Sequence, residues 1–153
     1  MNETTDLVVF GASGDLATRK IFPALRALAD RGELSTPLRV IGVGRSDLSD
    51  ERIQALLGES AQRDGIAAKW IRLDYGSPES YKPLKAEVED SAAVIFYLAT
   101  PPTTFKPIVS ALAQTGVARK GDPTRRVVVE KPFGRDLDSA LEIERTLTDA
   151  FEE

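Results

Sequence analysis

The sequence has neither cysteine nor histidine among its 153 residues. Without cysteine there is no disulfide framework, no thiolate metal site and no cysteine nucleophile. Without histidine, the commonest general base and the commonest zinc ligand are both missing. Long apolar runs are missing too. Stretches such as Leu7 to Phe10 and Val94 to Leu98 fall far short of the roughly 20 residues that a membrane-spanning helix needs. No basic-then-apolar leader opens the chain, so the expectation is a cytoplasmic protein with no membrane contact. Excess charge is also small: 20 Lys and Arg against 24 Asp and Glu leave −4. That balance argues against a basic nucleic-acid face. The acids show no metal-ligand spacing, so no metal site is expected.

The composition, 42% hydrophobic and 29% charged, is that of a soluble chain with enough apolar surface for one core, and a single domain over residues 1–153 is expected. Short apolar runs at Leu7 to Phe10, Leu38 to Val43, Trp70 to Leu73, Val94 to Ala99 and Val127 to Val129 alternate with longer amphipathic stretches. That alternation predicts an α/β fold: a three-layer, Rossmann-like, doubly wound parallel sheet of at least five strands with helices on both faces.

The stretches between the strands carry their own punctuation. Leu16 to Arg31 reads as a helix stopped by Gly32, with a kink or restart at Pro23. A second helix is expected from Ser49, its cap, to Arg63, with Asp50 and Glu51 in its first turn. Ser77-Pro78-Glu79 opens a third, and Pro101 to Thr104 leads into a fourth that stops at Gly116 despite Pro107. A last helix starts at Asp136 and runs to the end of the sequence. Leu137, Ala140, Leu141, Leu147, Ala150 and Phe151 would form its single apolar face, and Glu142, Glu144, Asp149, Glu152 and Glu153 its solvated one. Trp70, leading the third strand, reads as core packing rather than a base-stacking platform.

The first strand runs directly into Gly11-Ala12-Ser13-Gly14-Asp15-Leu16-Ala17, which opens the first helix. Glycines permit a tight turn and close backbone approach to a pyrophosphate, and the free N–H groups of the helix start meet its charge. The spacing Gly-x-x-Gly-x-x-Ala shifts the middle glycine of the dinucleotide fingerprint by one. Its place after the first strand of a βαβ unit gives it meaning, since lone glycine pairs also mark ordinary turns. The second strand ends Gly44-Arg45-Ser46. An acid there holds the ribose 2′-hydroxyl of NAD, whereas an arginine accommodates the 2′-phosphate of NADP. Arg45 therefore favours NADP, with NAD left open by Asp47 two residues on. Ala99, Pro101 and Pro102 end the fourth strand at the edge where such sheets bind ligands. Glu130 and Lys131 end the fifth, before Pro132, whose peptide bond can be cis or trans.

These blocks together resemble the coenzyme domain of the glucose-6-phosphate dehydrogenase family: Gly11 to Ala17 followed by Thr18-Arg19-Lys20 and Pro23-Ala24-Leu25, Ile41 to Ser46, Tyr97 to Pro102, and Glu130 to Gly134. They occur in that family's order and span nearly the whole chain. The resemblance implies NADP-dependent oxidation of glucose 6-phosphate at its anomeric carbon, the entry to the pentose phosphate pathway. It also implies that Gly11, Ala12, Ser13, Gly14, Asp15 and Leu16 cradle the pyrophosphate and that Arg45, with Ser46, meets the 2′-phosphate. Asp74 and Tyr75 would line the adenine side, Pro101 and Pro102 the nicotinamide pocket, Ala99 and Glu130 would contact the cofactor, and Lys131 would touch both the cofactor and the sugar phosphate. The stretch from Arg45 to Asp74 is shorter than the family's. The family's C-terminal β+α domain, which holds its catalytic histidines, would be absent from residues 1–153.

The expectation is thus a coenzyme domain with no catalytic base of its own, an exposed apolar surface near the domain junction, and a monomeric or weakly dimeric state. The competing reading is a stand-alone, non-catalytic NADP-binding or partner-docking protein. Tyr81-x-x-x-Lys85 mimics the catalytic pair of short-chain dehydrogenases, but it falls in the helix after the third strand, where i to i+4 pairs are ordinarily solvated surface.

Overall fold

The computed structural model describes residues 3–151. Five strands, β1 (Thr5–Phe10), β2 (Leu38–Gly44), β3 (Ala67–Arg72), β4 (Ala93–Leu98) and β5 (Arg125–Val129), form one sheet in the order β3-β2-β1-β4-β5. Every pairing is parallel. β1 is central and buried from Asp6 to Phe10, which accounts for its unbroken apolar run. The chain leaves β1 toward β2 on one side, and β4 flanks it on the other. The crevice above Phe10, between these diverging connections, is where sheets of this kind receive ligands.

Period-2 alternation sends Val8, Phe10, Ile41, Phe96 and Leu98 to one face of the sheet and Leu7, Val9, Val40 and Trp70 to the other, giving two separate cores. The first core is closed by α4 (Lys82–Val88), α5 (Phe105–Thr115) and α6 (Leu137–Ala150), the second by α1 (Phe22–Asp30), α2 (Asp50–Leu57) and α3 (Glu59–Arg63). The expected doubly wound, three-layer sheet is therefore present, with strand limits shifted by a few residues.

Local expectations fared unevenly. The restart at Pro23 takes the form of a π-helical segment, Ala17–Ile21, that runs on into α1 with Pro23 in its first turn. Ser49 caps α2 by accepting the Arg52 N–H at 3.2 Å. The single helix expected from Ser49 to Arg63 instead breaks at Gly58, whose φ is +101°. There Arg26 reaches over from α1 and donates to the Leu56 and Leu57 carbonyls at 3.4 and 2.9 Å, supplying the partners that a helix end lacks. Ser77 opens a 3₁₀ turn, Pro78–Tyr81, ahead of α4, and Gly116 ends α5 in the left-handed region at φ +71°.

The last helix departs most from expectation. It begins with a capping box in which Asp136 accepts the Ser139 N–H at 2.9 Å and the Ser139 hydroxyl accepts the Asp136 N–H at 3.1 Å. It stops at Ala150. Phe151 is extended because its buried ring packs against Phe96, with centroids 6.1 Å apart. Glu152 and Glu153 lie outside the described residues. The single apolar face is split in two: Ile143, Leu147, Ala150 and Phe151 turn inward, whereas Leu137 is 72% exposed and Leu141 37%. With Phe133 and Ala140 they line an open groove of about 430 Å³. Val128, Phe133, Leu137 and Leu141 are the large exposed apolar side chains among the described residues, and all belong to the last quarter of the chain. No helix there is long and apolar enough to cross a membrane.

Candidate coenzyme site

All five strands end on the same side, so each loop that follows a strand opens onto one edge. Gly11 leaves β1 with φ +78° and donates its N–H to the Val43 carbonyl at 2.8 Å. A side chain here is impossible without movement: a Cβ would stand 2.8 Å from the Ala99 carbonyl oxygen and 2.9 Å from the Thr100 methyl. Glycine therefore serves two purposes, the left-handed turn and the close seating of the first loop on the end of β4. Gly14 closes the turn by donating to the Gly11 carbonyl at 2.9 Å, and the Thr18 N–H follows onto the Gly14 carbonyl at 3.1 Å. Ala12 is buried and Leu16 half-buried, anchoring the loop, while Ser13, Gly14 and Asp15 face solvent. Asp15 leans outward toward Arg19, 3.8 Å away on the helical surface.

Beyond the turn, the end of β2 is braced by Trp70. Its ring lies so close over Gly44 that a Cβ there would meet it at 2.7 Å, and its Nε1 donates to the Ser46 carbonyl at 3.1 Å. The backbone N–H of Trp70 donates to Asp50 at 2.7 Å, tying β3 to α2. Trp70 is thus core packing, as expected, and it also holds the Arg45-Ser46 segment in place. Arg45 is exposed, and its guanidinium sits 5.9 Å above the Tyr75 ring, which packs in turn on Phe10 at 6.0 Å. Burial pushes the Tyr75 phenol up, against the pull of the Arg45 charge and the Gly11 backbone. Asp74 directs its carboxylate back onto the Gly76 N–H at 3.1 Å, shaping its own turn.

At the other end of the edge, Thr100 and Thr104 share a hydroxyl hydrogen bond, and Thr104 also donates to the Pro101 carbonyl at 2.7 Å. Pro101 is extended and Pro102 opens a 3₁₀ turn into α5. The Lys131-Pro132 peptide bond is cis. Glu130 accepts a hydrogen bond from the Tyr97 hydroxyl across β4 and β5. Burial first, then this carboxylate, push the Tyr97 phenol up to about 12. Lys131 is exposed. A cleft of about 630 Å³ runs between Pro101, Pro102 and Lys106 on one wall and Pro132, Arg135 and Ser139 on the other.

The structure thus brings the glycine turn together with Ala99, and Arg45 with Tyr75. It leaves Lys131 without a contact to the turn. Two residues at this edge escaped the sequence reading. Thr100 is the side chain against which Gly11 seats. Arg72, the last residue of β3, donates from Nε to the Arg45 carbonyl at 3.1 Å. The period-2 signal that buries Trp70 also points to Arg72, two residues along and so on the same side of the strand. Tyr81, by contrast, is fully buried and donates to the Tyr75 carbonyl at 2.9 Å, while Lys85 lies by Gly116 in a small cleft. They form no catalytic pair. No metal-binding cluster of acids occurs among the described residues.

A parallel sheet that switches direction above β1, with a glycine turn running into a helix at that point, defines a dinucleotide-binding domain of the doubly wound class. The particular family follows from comparison: residues 8–153 match the profile of the glucose-6-phosphate dehydrogenase NAD binding domain, and the chain belongs to that family. Glucose-6-phosphate 1-dehydrogenase of Kluyveromyces lactis is 36% identical over 172 residues, covering 99% of this chain and 34% of its own length. Glucose-6-phosphate 1-dehydrogenase 2 of Mycobacterium tuberculosis is 33% identical, covering 96% and 33%. Among solved structures, a glucose-6-phosphate dehydrogenase bound to its substrate glucose 6-phosphate superposes with a TM-score of 0.83 at 33% identity, over 99% of this chain and 35% of that one. The Mycobacterium avium enzyme gives 0.77 at 30%, over 95% and 34%. A ketoreductase domain of the bacillaene assembly line, 15% identical with a TM-score of 0.55 over 97% of this chain and 41% of that one, shares the fold alone. The chain therefore spans about a third of the length of the relatives it matches.

Proposed function

We propose that residues 1–153 are the coenzyme domain of a glucose-6-phosphate dehydrogenase and bind NADP, receiving on its nicotinamide the hydride from the anomeric carbon of glucose 6-phosphate. The observation that carries this reading is the pairing of two features across one crevice: the glycine turn at Gly11 and Gly14, and the exposed Arg45 guanidinium at the end of β2. Bound coenzyme would lay its pyrophosphate on the turn Gly11 to Leu16, against the N–H groups of residues 12, 13, 15 and 16, where the helix start favours negative charge. Arg45 and Ser46 would meet the 2′-phosphate, the guanidinium in a two-pronged, charge-assisted contact. Asp74 and Tyr75 would flank the adenine, and Ala99, Pro101 and Pro102 the nicotinamide. Lys131, with Glu130, would position the sugar phosphate.

Oxidation also needs a base to take the hydroxyl proton as hydride leaves. The sequence has no histidine, and Lys131 is a positioning group, so this chain alone turns over negligibly. The base would come from the C-terminal β+α domain, and the exposed stripe of Phe133, Leu137 and Leu141 supports a reading in which another part of the enzyme covers it. The same stripe equally favours the second reading, a non-catalytic NADP-binding protein that docks on a partner. The chain's own solution state would then be monomeric or weakly dimeric.

Calorimetric titration of NADP+ and NAD+ tests the coenzyme reading directly. NADP+ should bind saturably and more tightly, and Arg45→Ala should cost about tenfold or more for NADP+ alone, as expected for a lost hydrogen bond to a charged group. Equal affinity for the two nucleotides refutes NADP preference. Glucose 6-phosphate-dependent NADPH formation by the purified chain refutes the absence of a base.

A further inference from the structure

We propose that Arg72 is a second specificity-determining cation for the coenzyme's 2′-phosphate, acting beside Arg45; this rests on the NADP reading above. The two arginines line one cleft of about 400 Å³ at the carboxyl ends of β2 and β3, together with Leu73, Asp74 and Ser80. Their proximity follows from register: Gly44 pairs with Arg72, so the backbone of the residue after Gly44 lies next to the end of β3. The hydrogen bond from Arg72 Nε to the Arg45 carbonyl, 3.1 Å long, fixes the guanidinium against the strand end and occupies one of its five N–H donors. The four donors on its terminal nitrogens remain available to an anion in the cleft.

Neither arginine is neutralised. Among the described residues, no carboxylate lies within ion-pair distance of Arg45 or Arg72. The acid that lines the same cleft, Asp74, pairs with neither arginine, and one of its carboxylate oxygens accepts the Gly76 N–H. Ser80 is engaged as well: its hydroxyl donates to the Asp74 and Ser77 carbonyls at 2.8 and 2.7 Å and accepts the Asp74 N–H at 3.1 Å. The cleft therefore presents two guanidiniums that no carboxylate pairs with, beside a serine whose hydroxyl is committed to the backbone. A phosphate monoester carries about −1.5 to −2 charges near neutral pH, which two guanidiniums match better than one. The unphosphorylated ribose of NAD offers nothing for the second charge to meet.

The experiment compares 2′,5′-ADP with 5′-AMP as probes, titrated into the 153-residue chain and its Arg72→Ala and Arg72→Lys variants, with thermal unfolding followed in parallel. Arg72→Ala should weaken 2′,5′-ADP about tenfold, leave 5′-AMP within about twofold, and leave the unfolding midpoint unchanged. Arg72→Lys keeps the charge and drops the Nε bond to the Arg45 carbonyl, so it should recover at least about threefold of the loss. If Arg72→Ala keeps the full preference for 2′,5′-ADP, or weakens both probes equally, the inference is overturned while the NADP reading stands. A lysine variant as weak as alanine also overturns it, by showing that the strand-end hydrogen bond and not the charge matters. If the unmodified chain binds 2′,5′-ADP no better than 5′-AMP, the NADP reading falls and the inference falls with it.

Discussion

The two ends of the sheet deploy the same side chains in opposite ways. At the amino ends of the strands, Asp6 is fully buried and accepts two bonds from Arg39, at 2.8 and 2.7 Å, and one from the Ser91 hydroxyl. Arg39 reaches on to Glu87 at 2.6 Å, and Glu87 holds Lys69 at 2.5 Å. The Asp6 hydrogen bond is the main reason the Arg39 guanidinium clings to its proton more tightly than usual. One closed cluster thus ties β1, β2, β3, α4 and the approach to β4, with every charge answered. At the carboxyl ends, Arg45 and Arg72 have no acidic partner among the described residues. A buried charge must be compensated within the protein, whereas an exposed guanidinium at a ligand edge keeps its donors for an anion. The difference separates charge used for architecture from charge held for binding.

That separation predicts that stability and coenzyme affinity respond to different arginines. Arg39→Ala carries the largest expected effect: it strands the buried Asp6 carboxylate and should lower unfolding free energy by about 3 kcal/mol in denaturant melts, with NADP+ affinity unchanged. Loss of coenzyme binding without loss of stability in that variant would erase the contrast. Gly11→Ala should come next. The substitution forces a side chain into φ +78° and against the Ala99 carbonyl, costing about 2 kcal/mol of stability and most of the NADP+ affinity in calorimetry. The binding end would then be shown to depend on backbone shape as much as on charge.

The smallest effect concerns Tyr97 and its carboxylate partner. A tyrosine whose folded pKa is raised to about 12 contributes stability that is fully present below its unfolded value of about 10 and is lost as pH rises through 12. Burial also pushes up the phenols of Tyr75 and Tyr81, so tyrosinate absorbance should show no phenol titrating in the ordinary range, and the step that disappears in Tyr97→Phe identifies Tyr97. Glu130→Gln removes the carboxylate's share of the shift while burial, the larger cause, remains. The Tyr97 step should move down only part of the way toward the ordinary range, and no movement would remove Glu130 as a cause.

Much of the architecture was legible because it is written in local pattern. Strand runs, the Ser49 cap, the Gly116 stop and the glycine turn each depend on a few consecutive residues. The break at Gly58 was not, since the helix period continues through it and the residue that caps the broken end, Arg26, lies 30 and 31 positions from the carbonyls it meets. The outer face of α6 was misread for a similar reason: periodicity shows that Leu137 and Leu141 are apolar, not that anything in the chain reaches them. At the candidate site, Arg45 stood out through its position after a strand, whereas Arg72 becomes notable only once β3 is aligned with β2.

The sequence by itself determined an α/β chain with a glycine turn between its first strand and helix, an arginine after its second strand, and membership of its family. Local sterics and hydrophobic period fix the strands, helices and turn without reference to the rest of the chain, whereas the family follows from the resemblance of the motif blocks taken together. Tertiary structure alone decided which charges are spent and which stay open. Asp6 meets Arg39 across 33 residues, Arg39 meets Glu87 across 48, and Ser91 meets Asp6 across 85. Strand order and register set those meetings, and the same register brings Arg72 beside Arg45. A hydrogen bond acts over about 3 Å, and only the folded sheet brings residues so far apart in sequence within that reach.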